Sequence, residues 1–249
     1  MPSPDTARRA DRRVAGFLAV VVAILTFRAP ALAETIPAGP DLEAAGWREL
    51  GVSGKPGNRF VGHPDGVIEV ISSSSVSRLY RPIDAALAAM PVLTWRWRVD
   101  EPVPPTDLTR KGEDDTAITL YVGFPWDPDR ASFTERLTRP LVEAYAGEEA
   151  PGRVLAYVFG GAHERGEVVA SPHLGSAGFM RVLRPADSPT GAWFEERVDL
   201  VADYREAFGE APPDPVQIAV SADTDDTRST SRGLVADIAF VGRDEAASD

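Results

Sequence analysis

The chain has 249 residues, no cysteine, 22 prolines, 21 glycines and a formal net charge of −12. Without a thiol there is no disulfide framework and no cysteine nucleophile. A surface this acidic repels nucleic acid and anionic lipid.

The N-terminus reads as a targeting segment. Arg8, Arg9, Arg12 and Arg13 form a positive region, Val14 to Phe27 is apolar, and Ala31-Leu32-Ala33 is a small-residue cleavage site. That is a secretory signal peptide over residues 1–33. The apolar run is shorter than the about 20 residues of a bilayer span. Cleavage before Glu34 is therefore expected over retention as an anchor. The paired arginines match a twin-arginine signal only loosely, and no cysteine follows for lipid attachment. Loss of five arginines and two aspartates leaves 21 basic and 36 acidic side chains, a net charge of −15. The expectation is a periplasmic or secreted protein with no stable membrane span after cleavage.

Residues 34–46 read as a loose leader, with Pro37, Gly39 and Pro40. Short strands follow at Trp47–Val52, Arg59–His63, Val67–Ser72 and Ser75–Arg81, with His63-Pro64-Asp65-Gly66 as a turn. Asp84–Met90 is alanine-rich and reads as a brief helical turn. The stretch Leu93–Phe124 is central. Leu93, Trp95, Trp97 and Val99 alternate with Thr94, Arg96 and Arg98, the period of a strand with one covered and one polar face. A proline-rich connection ending in Asp114 and Asp115 leads to a second strand.

Ser132–Ala146 has helical spacing, with Phe133, Leu137, Leu141, Val142 and Tyr145 near one face. Ser132 and Glu135 form a capping box, and Gly147 is a stop signal. Strands resume at Val154–Phe159, Glu167–Ser171, Gly178–Leu183 and Trp193–Leu200. Asp199–Phe208 is a short helix ended by Gly209. Val216–Ala222 and Leu234–Val241 close the domain, and residues 243–249 form a charged tail. Many short strands without a βαβ rhythm predict an all-β fold. It is a single-domain antiparallel β-sandwich of jelly-roll type over 47–242, with one or two short helices.

Acid clusters are the first chemical candidates: Glu113-Asp114-Asp115, and Asp223-Thr224-Asp225-Asp226-Thr227. Oxygen-rich loops of this kind hold hard cations such as calcium, so Asp223, Asp225 and Asp226 are candidate metal ligands. The spacing is not that of an EF-hand loop, and aspartates also serve turns through their own backbone. Glu195 or Glu196 with Asp114 or Asp115 could supply the acid pair of a glycosidase, about 5–9 Å apart across a groove. No catalytic residue is assigned, because no spaced acid signature, G-x-S-x-G or phosphate loop occurs. His63, His163 and His173 lack a third zinc ligand at motif spacing. The polar face of the central strand offers Arg96 and Arg98 to a ligand, with Tyr121 and Glu195 nearby. Tyr157, Arg197 and Gln217 are further neighbours. Against that stands plain cross-strand pairing.

The runs WRWRVD, KGEDDTAITLYVGF, LAYVFG, WFEERVDLVADYREAFGEAPP and VQIAVSADTDDTRSTSRGLVADIAF resemble a family of bacterial secreted proteins. The family is catalogued as domain of unknown function 3047. The resemblance covers Leu50 to Val241. It rests on Asp114-Asp115, on Asp203–Gly209 (DYREAFG) and on Ala222–Thr227 (ADTDDT). The family pattern would place a tryptophan where Phe159 stands, and 126–151 looks like a longer form of its loop. The resemblance implies a sandwich similar to carbohydrate-binding modules, no established activity and no catalytic residues. The expectation is a periplasmic non-catalytic binding protein for a glycan or other small polar ligand. A polysaccharide hydrolase or lyase, or an envelope assembly protein with a protein partner, are the alternatives. Self-association is left open.

Overall fold

The structure is a computed structural model, described over residues 33–146 and 150–244. Its first sheet holds six strands. β1 (Ala33–Thr35), β3 (Arg59–Gly62), β4 (Ile68–Ser73), β6 (Val92–Glu101), β11 (Phe194–Asp199) and β13 (Thr230–Val241) pair in the order β11-β6-β13-β4-β3, with β1 also on β13. The second sheet holds seven. β2 (Arg48–Gly51), β5 (Val76–Pro82), β7 (Thr116–Phe124), β8 (Arg153–Phe159), β9 (Val168–Ser171), β10 (Gly175–Arg184) and β12 (Gln217–Asp223) run in the order β2-β5-β12-β7-β8-β10-β9. Among the described residues two helices, α1 (Phe133–Ala146) and α2 (Leu200–Phe208), accompany the sheets. The expected β-sandwich is the fold. One departure from an antiparallel ladder occurs: β10 runs parallel to β8.

The central strand does what its alternation dictates. Leu93, Trp95, Trp97 and Val99 are buried between the sheets. Trp95 meets Tyr157 of the facing sheet at 5.3 Å between ring centroids, and Trp97 meets Phe159 at 5.6 Å. The two indoles meet edge-to-face at 5.4 Å. Trp97 donates its indole N–H to Glu196 at 3.0 Å, while that of Trp95 is buried without a partner. At one point the sheets approach so closely that only glycine fits. A Cβ on Gly233 would stand 2.8 Å from Ile118.

One sequence expectation changes, and two further elements depart from what periodicity alone would give. The segment 34–46 is not a loose leader: Glu34 pairs with Phe240, Ile36 is buried, and the Trp47 indole N–H donates to Pro37 O at 2.8 Å. Three strand residues are too few to show a period, and the core anchors them. Helix α1 forms with its capping box, Ser132 N donating to Glu135 Oε2 at 2.6 Å. Its apolar face, however, points to solvent: Phe133 is 80% exposed, Leu137 68% and Leu141 73%. In the last strand, alternation would drive Asp237 into the core beside Val235. A bulge between Ala236 and Ala239, with Asp237 at φ 55°, turns it outward to pair with Arg96. The expected signal peptide up to Leu32 lies outside the described residues, as do Gly147 and tail residues 245–249, and its last residue, Ala33, opens β1. No described helix is long and apolar enough to cross a membrane.

Truncating Trp95 or Trp97, 2% and 0% exposed, is expected to cost about 3–5 kcal/mol of unfolding free energy. Trp97→Phe should be the more damaging of the two phenylalanine variants, because it removes one of the two donors to buried Glu196 Oε1, the other being Arg184, whereas Trp95→Phe removes an unpartnered donor. Urea denaturation checks both; a Trp97→Phe protein as stable as Trp95→Phe would remove the role given to Glu196.

Candidate functional site

Strands β7 and β12 are antiparallel neighbours, with Asp223 opposite Thr116. The register therefore brings Asp115, just before β7, against the end of β12. Two acid clusters more than a hundred residues apart in sequence become one site. Asp115, Asp223 and Asp225 each place one oxygen so that the three lie within 4.8 Å of one another.

The loop after β12 folds around Asp115. Asp115 is fully buried and accepts from Thr227 N at 2.8 Å, Thr227 Oγ1 at 2.5 Å and Asp226 N at 3.3 Å. Thr224 anchors the same loop from below, joining Ser72 Oγ at 2.7 Å and accepting from Ser75 N at 3.1 Å. Lys55 pairs with Asp225. Asp114 meets His173 at 2.9 Å, so the turn between β9 and β10 borders the cluster.

The electrostatics follow from crowding. Burial, and then the neighbouring Asp115 carboxylate, push the Asp223 carboxyl up to about 8. Burial and the Asp115 and Asp114 charges also raise Asp226. The hydrogen bond to Asp114 raises His173. Asp223 Oδ1 is buried without a hydrogen-bond partner. Two ligands of one calcium ion, each about 2.4 Å from it, are at most about 4.8 Å apart, a limit that these three oxygens meet.

Of the metal ligands expected from sequence, Asp223 and Asp225 are in the triad. Asp226 lends its backbone N–H to Asp115, and Asp115 takes the third place. The sequence showed both clusters but not the strand pairing that joins them. The expected ligand residues do not assemble into one set. Arg96, Arg98 and Glu195 share the outer face of the first sheet, Glu195 opposite Arg96 in register. Tyr121 belongs to the other sheet, under the Arg78 guanidinium at 5.4 Å. The arginines are also engaged, Arg96 with Asp237 and Arg98 with Asp100. Both reach over the ring of Trp193, at 4.5 and 5.2 Å. Trp193 packs on Val67, Leu234 and Ala236; sequence reasoning gives it only the start of a strand.

The remaining candidates take structural places. Tyr157 is core and donates to Asp203 at 2.8 Å. Glu196 is buried against Arg184 at 2.6 Å. Arg197 donates to Gly242 and Arg243 carbonyls, and Gln217 sits in register with Gly123. His63 pairs with Glu69 and His163 with Glu167. No hydrogen bond or ion pair among the described residues joins Glu195 to Asp114 or Asp115.

A two-sheet β-sandwich with a carboxylate cluster at one loop end is the class of protein these features define. The chain belongs to the family described as "Protein of unknown function (DUF3047)", matched over residues 45–239. No curated protein matches it. Among solved structures it is similar to a family 29 carbohydrate binding module (9% identity, 86% of this chain and 90% of that one, TM-score 0.38). It is also similar to the xyloglucanase domain of NopAA from Sinorhizobium fredii (8%, 84% and 98%, 0.42). A third is the family GH12 endoglucanase 3 of Trichoderma harzianum (9%, 86% and 98%, 0.39). Similarities at this level speak to neither ligand nor activity.

Asp223 gives a pH test for the metal-free protein. Its carboxyl sits near 3.8 when unperturbed and at about 8 in the fold, so between those values the folded state binds more protons than the unfolded one. Its contribution to stability is present below pH about 4 and lost as pH rises through about 8. In chelator, Asp223→Asn should become progressively more stable relative to the parent as pH climbs across that window. Parallel stability–pH curves for the two proteins would refute the assignment.

Proposed function

We propose that this is an exported, non-catalytic binding protein that holds a calcium ion between Asp115, Asp223 and Asp225 and takes a glycan or other small polar ligand. The observation that carries the cation is Asp223 Oδ1, buried and unpartnered beside two further carboxylates. A buried carboxylate in that position needs a proton or a cation. An all-oxygen donor set suits calcium better than a transition metal. Asp115 keeps acceptor capacity beyond its bonds to Thr227 and Asp226, because an ionised carboxylate has about four lone-pair positions.

Export is supported by the arginine, apolar and Ala-x-Ala pattern of residues 8–33. A polar ligand is supported by Trp193, a half-buried ring on a solvent-facing sheet surface with Arg96, Arg98 and Glu195 around it. Apolar aromatic surface with a few placed polar groups is what small-molecule sites use. A hydrolase or lyase would need paired carboxylates across a groove. Here Asp114 is joined to His173 and Asp115 to Thr227, while Glu195 lies opposite Arg96.

Thermal unfolding after chelation, with calcium or magnesium added back, tests the cation. At calcium a hundredfold above its dissociation constant the stabilisation is about 2.7 kcal/mol, or about 5–10 °C in Tm at roughly 2–4 °C per kcal/mol. Asp223→Asn and Asp225→Asn should lose the response. A Tm indifferent to every divalent ion would end this reading. For the ligand, an oligosaccharide panel should give binding that Trp193→Ala abolishes while the variant still folds; undiminished sugar binding in that variant would move the site elsewhere.

A further inference from the structure

Among the described residues six arginines lie over an aromatic ring. Five of them also hold a carboxylate: Arg96 has Asp237, Arg98 has Asp100, Arg139 has Glu143, Arg153 has Glu210 and Arg184 has Glu196. The sixth, Arg78, is half-buried, with its guanidinium 5.4 Å from the centroid of the Tyr121 ring. It pairs with no carboxylate among the described residues. Stacking uses the face of a guanidinium and leaves its N–H edge for a partner in the plane. In the other five that edge meets an acid. The chain carries 38 acidic side chains against 26 basic ones, so a half-buried arginine left without one is the exception.

Strand register shows what surrounds it. Tyr80 stands opposite Ala219, and Ala219 opposite Tyr121; Arg78 is one row on, opposite Ser221. These side chains point away from the core, because Leu79, Ile218, Val220, Leu120 and Val122 of the same strands pack between the sheets. A tyrosine–alanine–tyrosine row is a slot. Its walls stand two strand spacings apart, about 10 Å, and its floor is a methyl group. Packing on Leu108, Ala156 and Val158 fixes the Tyr121 wall. Arg48 on β2, opposite Tyr80, adds a second guanidinium without an ion pair among the described residues. Strands β5, β7 and β12 contain one carboxylate, Asp223, and it belongs to the aspartate triad.

We propose that the outer face of β5, β12 and β7 is a second binding site, for a short acidic sugar whose ring enters the slot between Tyr80 and Tyr121 and whose carboxylate pairs with Arg78. It does not depend on the Trp193 surface, which covers β13 of the other sheet. Chemistry selects the ligand class. The guanidinium fork matches a carboxylate with two parallel hydrogen bonds. Aromatic walls with a few placed polar groups are what small-molecule sites use. A net charge of −12 repels a long polyanion, so the class is a sugar with one or two carboxylates rather than an acidic polysaccharide.

Isothermal titration calorimetry with a xylobiose bearing one glucuronate is the test, run in chelator so that no cation at the triad bridges the carboxylate. The acid is expected to bind, and its methyl ester and neutral xylotriose at least about tenfold more weakly, the factor of about 1.4 kcal/mol. Arg78→Gln should weaken the acid by a similar factor while Tm holds. Arg78→Lys should weaken it less, because an ammonium keeps the charge and loses the fork. Trp193→Ala should leave it unchanged. The ester comparison needs no variant, so it decides the point whatever Arg78→Gln does to folding. No binding of the acid overturns the proposal, as does equal binding of acid and ester. Undiminished binding to a folded Arg78→Gln protein overturns it as well. Binding lost in Trp193→Ala and kept in Arg78→Gln overturns this site and leaves the Trp193 surface standing.

Discussion

The contact between Trp95 and Trp97 on one sheet and Tyr157 and Phe159 on the other governs the rest of the molecule. A chain without cysteine joins two sheets with no covalent link, mainly by burial, and these rings are the largest apolar surfaces that cross the gap. They also fix register. A slip of one residue in β6 would turn both indoles to water and both arginines into the core. The neighbouring strands accommodate that register. In β13 a bulge expels Asp237 from the line of Val235 and restores Ile238 and Phe240 to the core. In β11, Glu196 faces inward and is held there by Trp97 and Arg184. An unpaired carboxylate in that place would be costly.

The aspartate cluster is a consequence of the same sheet order. Placing β12 between β5 and β7 sets the end of one acidic run beside the start of another. Turn chemistry explains Asp115, which gathers the Thr227 loop by accepting its hydrogen bonds. It does not explain Asp223. That carboxylate takes no part in capping the loop, and burial and Asp115 both raise its proton affinity. A residue whose ionised form is destabilised by its own fold and whose buried oxygen has no protein donor is the observation on which the proposed cation rests. The ordinary completions are a proton at low pH and a cation above it.

Much of this was legible in the sequence because periodicity and turn residues are local. The strand from Leu93, the helix capped by Asp199 and stopped by Gly209 at φ 73°, and the sandwich class all follow from spacing. What was not legible depends on which strands become neighbours. The joining of Asp115 to Asp223 is set by strand order, and Tyr121 was grouped with Arg96 although β7 and β6 lie in different sheets. The parallel β8–β10 pair and strand β1 were hidden for related reasons: a return crossover leaves no local signal, and three residues show no period. Trp193 carries a signal of its own, an aromatic between the turn residues Pro189 and Gly191 and the acidic pair Glu195-Glu196, but its place comes from lying across Leu234 and Ala236.

Helix α1 shows where a periodicity argument ends. The spacing of Phe133, Leu137 and Leu141 establishes an amphipathic helix, and the usual inference turns that stripe inward. The inference assumes that the apolar side has the larger claim on the body. Here the claim belongs to Arg139, whose guanidinium meets a carboxylate, backbone carbonyls and the face of Trp126 at once. Such a charge-assisted set is directional, so it fixes which side of the helix faces the sandwich, whereas the apolar stripe has no partner of matched shape there. The amphipathic pattern therefore leaves Phe133, Leu137 and Leu141 on the solvent side of the helix.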